Sequence, residues 1–337
     1  MKQAWILSRP DRVGDVVVST ACIEPIKQQF PGVELSFIVS RSMRTLLEGH
    51  PHIERLILLP EPGDVDSERS FYEVCKSVGA DVLVELNNYP TVSTMAKYVS
   101  FARHLHYKRH KWDFSPDAFK DRRRLGLKHE AEACFDFLEK LGCGRPLKLK
   151  PSLPAYDNAW TSLQSKHPAL ASHLYAVYNL TVFGNKPRWP VERFAELATK
   201  LANKRGWSPV LIGVSREDPV YGQFERLYAG VCPVFDLVEQ TNLAELGAVM
   251  SHAKLLVSRD TGPAHVGAAV GCPTVTLMSA HPVHCAKRWA PLGERVYVVE
   301  QPMIRRRWPE SRATWWKRVF DQITVEQVMG GVLELCS

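Results

Sequence analysis

The segment Ser258–Ala269 contains residue types that could hold a phosphorylated ligand bearing hydroxyl groups. It lies between two apolar runs, which predicts a strand, a turn, a short helix and a second strand. Asp260 and Thr261 are typical of helix caps, and Gly262 lets the backbone approach a ligand closely. Amides at such a helix start attract phosphate, while the Asp260 carboxylate accepts hydrogen bonds from hydroxyl groups. A sugar joined to a diphosphate satisfies both groups, although an ordinary helix cap explains the same residues.

A second candidate carboxylate, Asp15, follows the first apolar run of the chain. The stretch Trp5–Ser8 predicts a strand, Gly14 permits a close turn, and Asp15 stands at the start of the next helix. A carboxylate in this position could take a proton from a hydroxyl group during a reaction. A simple helix cap is the alternative, and the two roles are compatible.

Four further side chains near predicted strand ends suit a sugar diphosphate. Lys186 matches phosphate as a point charge, and Arg188 matches it as a two-pronged donor. Glu217 stands at a predicted helix start, after a turn that contains Gly213, where its carboxylate could hold ribose hydroxyls or cap the helix. His265 could bond a phosphate or a sugar hydroxyl, or it could pack against its own helix.

The composition predicts a soluble globular chain of two domains. It has 337 residues, of which 45% are hydrophobic and 23% are charged. No apolar run is long enough to span a membrane, and the apolar start is too short for a signal peptide, so we expect a cytoplasmic protein. The eight cysteines include no C-x-x-C pair, so we expect reduced thiols, no metal and no cofactor.

The net charge of +7 is concentrated in two segments. Residues 102–128 contain nine basic and three acidic side chains, a local charge of +6, and residues 301–320 have a local charge of +5. Both predict an anionic partner, either a phosphorylated acceptor or a lipid headgroup surface, and solvated faces are the alternative. No recognisable module for nucleic acid accompanies the charge, which argues against that partner. The arginines singled out for the anionic partner are Arg122, Arg123, Arg124, Arg305, Arg306 and Arg307.

Apolar strands alternate with helical patterns, which is typical of parallel sheets covered on both faces. Two such series predict an α/β chain with two Rossmann-like, doubly wound domains at 1–160 and 161–310, with a linker near residues 150–172. We expect a last helical segment, 311–337, to pack back on the N-terminal domain. Because ligands bind at the carboxyl ends of strands, two facing domains would enclose a cleft. The predicted helices include a continuous Asp15–Gln29 and one over Glu217–Tyr228.

Five motifs occur in an order that resembles the lipopolysaccharide heptosyltransferases of glycosyltransferase family 9. The resemblance implies a GT-B fold, an ADP-heptose donor and transfer with inversion. It also implies a lipid-linked acceptor in the inner core of lipopolysaccharide, reached by a peripheral enzyme at the cytoplasmic face of the inner membrane. The motifs are Gly14-Asp15, Arg188-Trp189-Pro190, the Gly213–Glu217 turn, the segment Asp260–His265, and Arg288-Trp289-Ala290-Pro291-Leu292-Gly293.

Site residues follow from the resemblance position by position. It implies a catalytic carboxylate at Asp15 and a donor-binding D-[ST]-G-x-x-H motif that begins at Asp260. The family commonly has a basic residue adjoining R/H-W-P, whereas here Pro187 intervenes and Lys186 is displaced by one, so Arg188 shares or replaces the phosphate role. The family's usual glycine-rich turn is replaced by the segment Met278–Pro282, which leaves the donor sugar open. The alternatives are transfer from another nucleotide sugar, a nucleotide-sugar epimerase of the same fold, and a non-catalytic binding protein.

Overall fold

The computed structural model describes residues 3–182 and 187–337, apart from the side chain of Arg124. The chain divides into two compact units, Met1–Ala155 and Tyr156–Ser337. The division therefore comes five residues before the predicted boundary at 160, inside the predicted linker. Each unit is built around its own parallel sheet, which confirms the predicted α/β class.

The first unit contains one six-stranded sheet. Its strands are β1 (Ala4–Ser8), β2 (Glu34–Val39), β3 (Arg55–Leu58), β4 (Val82–Glu85), β5 (Arg103–Tyr107) and β6 (Ala118–Phe119). Its helices are α1 (Val13–Ser19), α2 (Ile23–Gln29), α3 (Arg44–Leu47), α4 (Val65–Ser77), α5 (Pro90–Met95) and α6 (Glu130–Lys140). The central strands are buried along their whole length, because helices cover both faces of a parallel sheet.

The second unit contains the other six-stranded sheet. Its strands are β7 (Tyr175–Asn179), β8 (Ser208–Ile212), β9 (Phe235–Asp236), β10 (Leu255–Arg259), β11 (Thr274–Ser279) and β12 (Val296–Gln301). Its helices are α7 (Asp157–Lys166), α8 (Pro168–Ala171), α9 (Val191–Arg205), α10 (Val220–Leu227), α11 (Leu243–His252), α12 (Gly262–Ala269), α13 (Ala286–Trp289), α14 (Arg312–Phe320) and α15 (Val325–Leu335). Among the helices of residues 3–182 and 187–337, none combines the length and apolar character needed to cross a bilayer.

The two sheets have the same strand order when the second is read from its opposite edge, β9. The first runs β3-β2-β1-β4-β5-β6 and the second runs β12-β11-β10-β7-β8-β9, and every pairing between neighbouring strands is parallel. The order reverses between β1 and β4 in the first unit and between β7 and β10 in the second. Ligands of such sheets bind outside the carboxyl ends of strands at this reversal. We therefore expect a site at the loops after β1 and β10. Asp260 lies in the loop after β10, and Asp15 lies in the helix that follows the loop after β1.

The predicted continuous helix Asp15–Gln29 is wrong. It is divided into α1, a 3₁₀ turn over Thr20–Cys22, and α2. The hydroxyl groups of Ser19 and Thr20 donate back to the carbonyls of Val16 and Val17, which draws the chain into a tighter turn. Pro25 has no N–H to continue the ladder, so α-helical bonding restarts after the turn.

The C-terminal segment 311–337, which we expected to pack on the N-terminal domain, belongs to the compact unit Tyr156–Ser337. Val325, Val328 and Val332 of α15 are fully or almost fully buried in the core of the second unit. In addition, the Trp189 indole donates to the carbonyl of Ile323 over 2.8 Å. The apolar face of α15 thus covers β11, β12 and α9.

Two adjacent glycines in α15 test this packing. A methyl group at Gly331 would lie 2.4 Å from the ring of Tyr297 on β12, whereas nothing lies within 4 Å of one at Gly330. We expect Gly331→Ala to lower the free energy of unfolding by about 1–3 kcal/mol through overpacking. Gly330→Ala should raise it by about 0.5–1 kcal/mol through helix propensity. Urea unfolding of the two variants measures both effects, and equal changes in the two would contradict the packing of α15 on β12.

Candidate functional site

Asp15 lies in the first turn of α1, just beyond the carboxyl end of β1. It is the third residue of the helix, whose N-cap is Arg12 in an extended conformation. The predicted turn at Gly14 and the predicted cap at Asp15 are therefore wrong, because both residues are already helical. A carboxylate in the first turn is still stabilised by the helix dipole. The Asp15 side chain is only 7% exposed.

The guanidinium of Arg9 fixes this carboxylate. Arg9 is 2% exposed and follows β1 directly. It donates to Oδ1 of Asp15, to Oδ1 of Asp11 over 3.0 Å and to Oε1 of Glu130 over 3.2 Å. A fourth bond, of 2.8 Å, reaches the carbonyl of Leu86, the residue after β4. One buried cation thus joins the loop after β1, helix α1, the end of β4 and the start of α6.

The balance of charge around Arg9 favours its ionised form. Burial opposes the charge, but the nearby acidic groups, chiefly Asp11, Asp15 and Glu130 with Cys134, more than offset that effect and raise the pKa of Arg9 well above its usual value. Burial raises the pKa of Asp11 despite the attraction of Arg9. Oδ2 of Asp15 lies 3.2 Å from Nε of Arg12, a side chain that is 74% exposed. One oxygen of Asp15 is therefore held by a buried group and the other by a solvated one.

Arg123 belongs to the same network, not to an exposed surface for an anionic partner. Its guanidinium lies 3.0 Å from Oε1 of Glu130 and 4.1 Å from the ring centre of Tyr107. It also pairs with Asp121 over 2.8 Å. The expectation of an acceptor or membrane contact at Arg123 is thus not supported by its surroundings. Arg122 is exposed, and the side chain of Arg124 lies outside the described part of the chain.

In the second unit, α12 begins directly after β10 and the Asp260-Thr261 pair. Thr261 is the N-cap, yet its side chain does not cap the helix. Its hydroxyl oxygen instead accepts from Nδ2 of Asn179 over 2.9 Å and lies 3.0 Å from the hydroxyl of Ser258. These bonds tie the loop after β10 to the end of β7. They also leave the start of α12 without a side-chain cap, as an anion-binding helix start requires.

His265 and Asp260 lie side by side within this segment. Nε2 of His265 is 3.5 Å from Oδ1 of Asp260, and the ring is 3% exposed. Nδ1 of His265 is buried and has no hydrogen-bond partner among residues 3–182 and 187–337. The Asp260 side chain is 16% exposed, so a ligand can contact it, while the buried His265 ring lies beside it.

Arg188 has a protein partner that the sequence motifs did not indicate. Its two terminal nitrogens pair with both oxygens of Asp218, over 2.7 and 2.5 Å. The hydrogen bonds from Arg188, and its charge, lower the pKa of Asp218. Lys186, the other predicted phosphate ligand, lies outside the described residues.

Glu217 does not begin a helix, which corrects that expectation. It lies exposed in a turn, and α10 begins at Val220, whose amide donates to Asp218 over 3.1 Å. The helix begins later than predicted because Pro219 disfavours a helical conformation at the residue before it, Asp218. Gly213 does have a steric role, since a methyl group there would lie 1.7 Å from the Tyr221 hydroxyl.

A cavity of about 370 Å³ lies at the carboxyl ends of β10 and β11. Among the described lining residues, Asp260 is the one that the sequence predicted for the site; Arg259, its neighbour, was not singled out. Its place as the last residue of β10 was the available signal. The lining residues are Pro187, Arg259, Asp260, Met278, Ser279, His284, Arg312, Ala313 and Trp316.

The basic run Arg305–Arg307 is exposed and lines a separate hollow of about 590 Å³ with Trp308 and Arg318. The only acidic residue of the 301–320 segment, Glu310, is paired with Arg318 over 2.7 Å. This bond and the amide of Arg307 lower the pKa of Glu310 to about 2. Glu310 therefore stays ionised and its negative charge neutralises that of Arg318. The positive charges of Arg305–Arg307 remain exposed.

Comparison with known proteins identifies the family. The sequence model for glycosyltransferase family 9 (heptosyltransferase) matches residues 108–313, more than half of the chain. This chain belongs to glycosyltransferase family 9. It is therefore a glycosyltransferase, as its motifs led us to expect.

Relatives of this glycosyltransferase cover most of its length. Lipopolysaccharide heptosyltransferase 3 of Escherichia coli is 22% identical over 276 residues, which are 79% of this chain and 80% of the relative. The family 9 glycosyl transferase of Veillonella parvula is 20% identical with a TM-score of 0.79, over 100% of this chain and 98% of that one. The Escherichia coli heptosyltransferase WaaC with ADP is 18% identical with a TM-score of 0.73, over 98% and 99%. These likenesses confirm the GT-B fold.

The role of Arg9 in this glycosyltransferase is open to a direct test. Replacing Arg9 with Met removes the buried cation that Asp11, Asp15 and Glu130 share, and leaves Asp15 with the solvated Arg12 and Glu130 with Arg123. This loss should lower the free energy of unfolding by about 3–5 kcal/mol, measured by urea unfolding. Arg44→Met is the control, because its pair with Glu48 is exposed and should contribute little to stability. Adding Glu130→Gln to Arg9→Met should recover part of the loss. A loss no larger than that of the control would show that the network is not stabilising.

Proposed function

We propose that this glycosyltransferase moves heptose from ADP-heptose to a hydroxyl of the lipopolysaccharide inner core, with inversion and with Asp15 as the general base. The relatives carry the donor and acceptor classes in their names, as heptosyltransferases of lipopolysaccharide. The observation that carries the role of Asp15 is the fixation of its carboxylate by the buried Arg9 beside the strand reversal of the first sheet.

The reaction is a single displacement. The acceptor hydroxyl loses its proton to Asp15 as its oxygen bonds to the anomeric carbon of the donor, and the bond from that carbon to the diphosphate breaks on the opposite side. ADP leaves with the bonding electrons. Because Oδ1 is held by Arg9, Oδ2 is the oxygen that takes the proton. Its contact with Arg12 is solvated and therefore weak, so the acceptor can replace it.

The second unit supplies the donor site in this proposal. Asp260 accepts hydrogen bonds from the sugar hydroxyls, supported by His265, while the amides of Thr261 and Gly262 face the diphosphate at the uncapped start of α12. Glu217, exposed after β8, takes the ribose hydroxyls. Lys186 neutralises the diphosphate, and Arg188 assists it at the expense of its bond to Asp218. No metal takes part, since these donors and cations stabilise the departing charge.

The lipid-linked acceptor places the enzyme at the cytoplasmic face of the inner membrane in this proposal. The surface formed by residues 108–128 suits such a place, because it combines exposed apolar side chains with basic ones. Trp112 is 66% and Phe114 is 77% exposed, and Leu125 and Leu127 are about as open. We call this the amphiphilic surface. Its basic members meet anionic headgroups while its apolar members enter the interface. Its exposed basic side chains are Lys108, Lys111, Lys120, Arg122 and Lys128, whereas Arg109 is paired with the buried Glu85 over 2.7 Å. The exposed run Arg305–Arg307 adds a second cationic contact.

Substitution of two neighbouring carboxylates tests the base. Asp15→Asn should lower kcat by about 10²–10⁴-fold, because the amide cannot accept the proton, and should leave ADP affinity in calorimetry unchanged. Asp11→Asn is the matched control, since Asp11 shares the Arg9 guanidinium and is also partly buried. It should retain most of the transfer to truncated lipopolysaccharide. Normal transfer by Asp15→Asn, or an equal loss in both variants, would refute the assignment.

Vesicle binding tests the amphiphilic surface. The double variant Trp112→Ser and Phe114→Ser should bind vesicles of phosphatidylethanolamine with phosphatidylglycerol about ten-fold or more weakly in co-sedimentation, because it loses two apolar side chains from the interface. Tyr98→Ser is the control, since Tyr98 is a 72% exposed aromatic residue of the same unit outside this surface. Equal binding by the double variant and the wild type would remove the amphiphilic surface from membrane contact.

A further inference from the structure

Arg259 is a partly buried cation whose acidic neighbour, in the part of the chain that the structure describes, is Asp260. It is the last residue of β10 and lines the cavity together with Asp260. Its guanidinium lies 3.6 Å from the ring centre of Phe320, and Nη1 donates to the carbonyl of Pro187. Nε is buried and has no hydrogen-bond partner within the described ranges 3–182 and 187–337.

A comparison with Arg9 shows what is missing. Both arginines are strongly desolvated, yet their pKa values shift in opposite directions. Three carboxylates around Arg9 more than offset the effect of burial, whereas burial of Arg259 lowers its pKa to about 10, with only Asp260 opposing that shift. A desolvated guanidinium with an unused donor is costly in the protein alone. It is well suited to an anion that enters with a ligand.

The other walls of the cavity indicate the size and chemistry of that ligand. Arg312 of α14 brings a second positive charge, and Ser279 brings a hydroxyl. Met278, Ala313 and Trp316 form an apolar wall, on which a sugar ring or another flat apolar face can lie. The volume of about 370 Å³ is sufficient for a phosphorylated sugar and too large for a lone phosphate.

We propose that Arg259 binds a phosphoryl group of the substrate in this cavity, with Arg312 as the second cation. This inference rests on the proposed function, because it names a residue for the substrates of that reaction. Two sources share the phosphoryl chemistry: the diphosphate of the nucleotide-sugar donor and a phosphate substituent on the glycolipid acceptor. The planar guanidinium suits either, since it presents parallel N–H donors to phosphate oxygens.

A purely structural role for Arg259 predicts a different melting temperature for its variants. If the side chain only clamps Phe320 and Pro187, its removal should lower the melting temperature of the unliganded protein. If Arg259 instead binds an anion of the substrate, Arg259→Met keeps an apolar contact with Phe320 and removes the desolvated charge. The melting temperature of the unliganded protein should then be unchanged or higher. Arg205 is the matched control, because it lies 5.3 Å from the ring centre of Trp207 and donates to the carbonyl of Cys336 over 2.6 Å.

The experiment titrates wild type, Arg259→Met, Arg259→Lys and Arg205→Met with ADP and with inorganic pyrophosphate in a calorimeter. In parallel, it measures the KM for truncated lipopolysaccharide before and after treatment with phosphatase. If the donor supplies the phosphoryl group, Arg259→Met loses about ten-fold or more in affinity for ADP and pyrophosphate. If the acceptor supplies it, those affinities hold, and the variant raises the KM for the phosphorylated acceptor by a similar factor but not for the treated one. Arg259→Lys should recover part of either loss.

The inference is overturned if Arg259→Met changes neither the two affinities nor the KM, or if Arg205→Met matches every change. It is also overturned if Arg259→Met merely lowers the melting temperature without either ligand effect. Failure of the proposed function gives a separate result. In that case the wild type does not transfer heptose at all, whereas the pyrophosphate titration still reports whether Arg259 binds a phosphoryl group.

Discussion

The buried guanidinium of Arg9 is the constraint on which the first unit depends. Asp11, Asp15 and Glu130 converge on it from the β1 loop, helix α1 and the start of α6, and the carbonyl of Leu86 brings in the end of β4. Such a group of charges is stable only as a complete set, because each carboxylate would be costly to bury without the cation. The same set fixes the orientation of Asp15 before any substrate arrives. The chemistry proposed for Asp15 and the stability of the first unit therefore have one physical origin.

The surroundings of Arg259, the partly buried arginine of the second unit, differ from those of Arg9. Arg9 directly follows β1 and Arg259 ends β10, both beside a reversal of strand order, but of the two only Arg9 is surrounded by carboxylates. This difference suits the two halves of a glycosyl transfer. A group that takes a proton must be oriented in advance, so its partners belong to the protein. A group that binds a phosphoryl oxygen gains its partner with the substrate, and a permanent carboxylate beside it would compete with that ligand.

The sequence predicted the sheets well and the charge networks poorly. The strand predicted over Trp5–Ser8 is present as Ala4–Ser8, because a strand buried on both faces is a largely apolar run that the sequence shows directly. The short edge strand Ala118–Phe119 has no such run and was missed. The pairing of Arg9 with Glu130 spans 121 residues, and no local pattern announces it. Asp218 was overlooked for its neighbour Glu217 because the choice between adjacent acids depends on where α10 begins, and Pro219 decides that. Asp260, Thr261 and His265 were predicted as a group because their spacing is local.

The structure also connects the departures of this chain from the pattern of its family. Pro187 separates Lys186 from the Arg-Trp-Pro motif, and the guanidinium of Arg188 within that motif is held by Asp218. The carbonyl of Pro187 is the acceptor for Arg259. The residue that displaces the lysine is thus bonded to a cation that stands immediately before Asp260. If a phosphoryl group needs a fixed positive charge in this glycosyltransferase, Arg259 supplies it from a rigid strand end, whereas Arg188 must first give up a bidentate ion pair. The positive charge that binds the phosphoryl group then comes from the end of β10 instead of the loop after β7. These two strands are neighbours in the sheet.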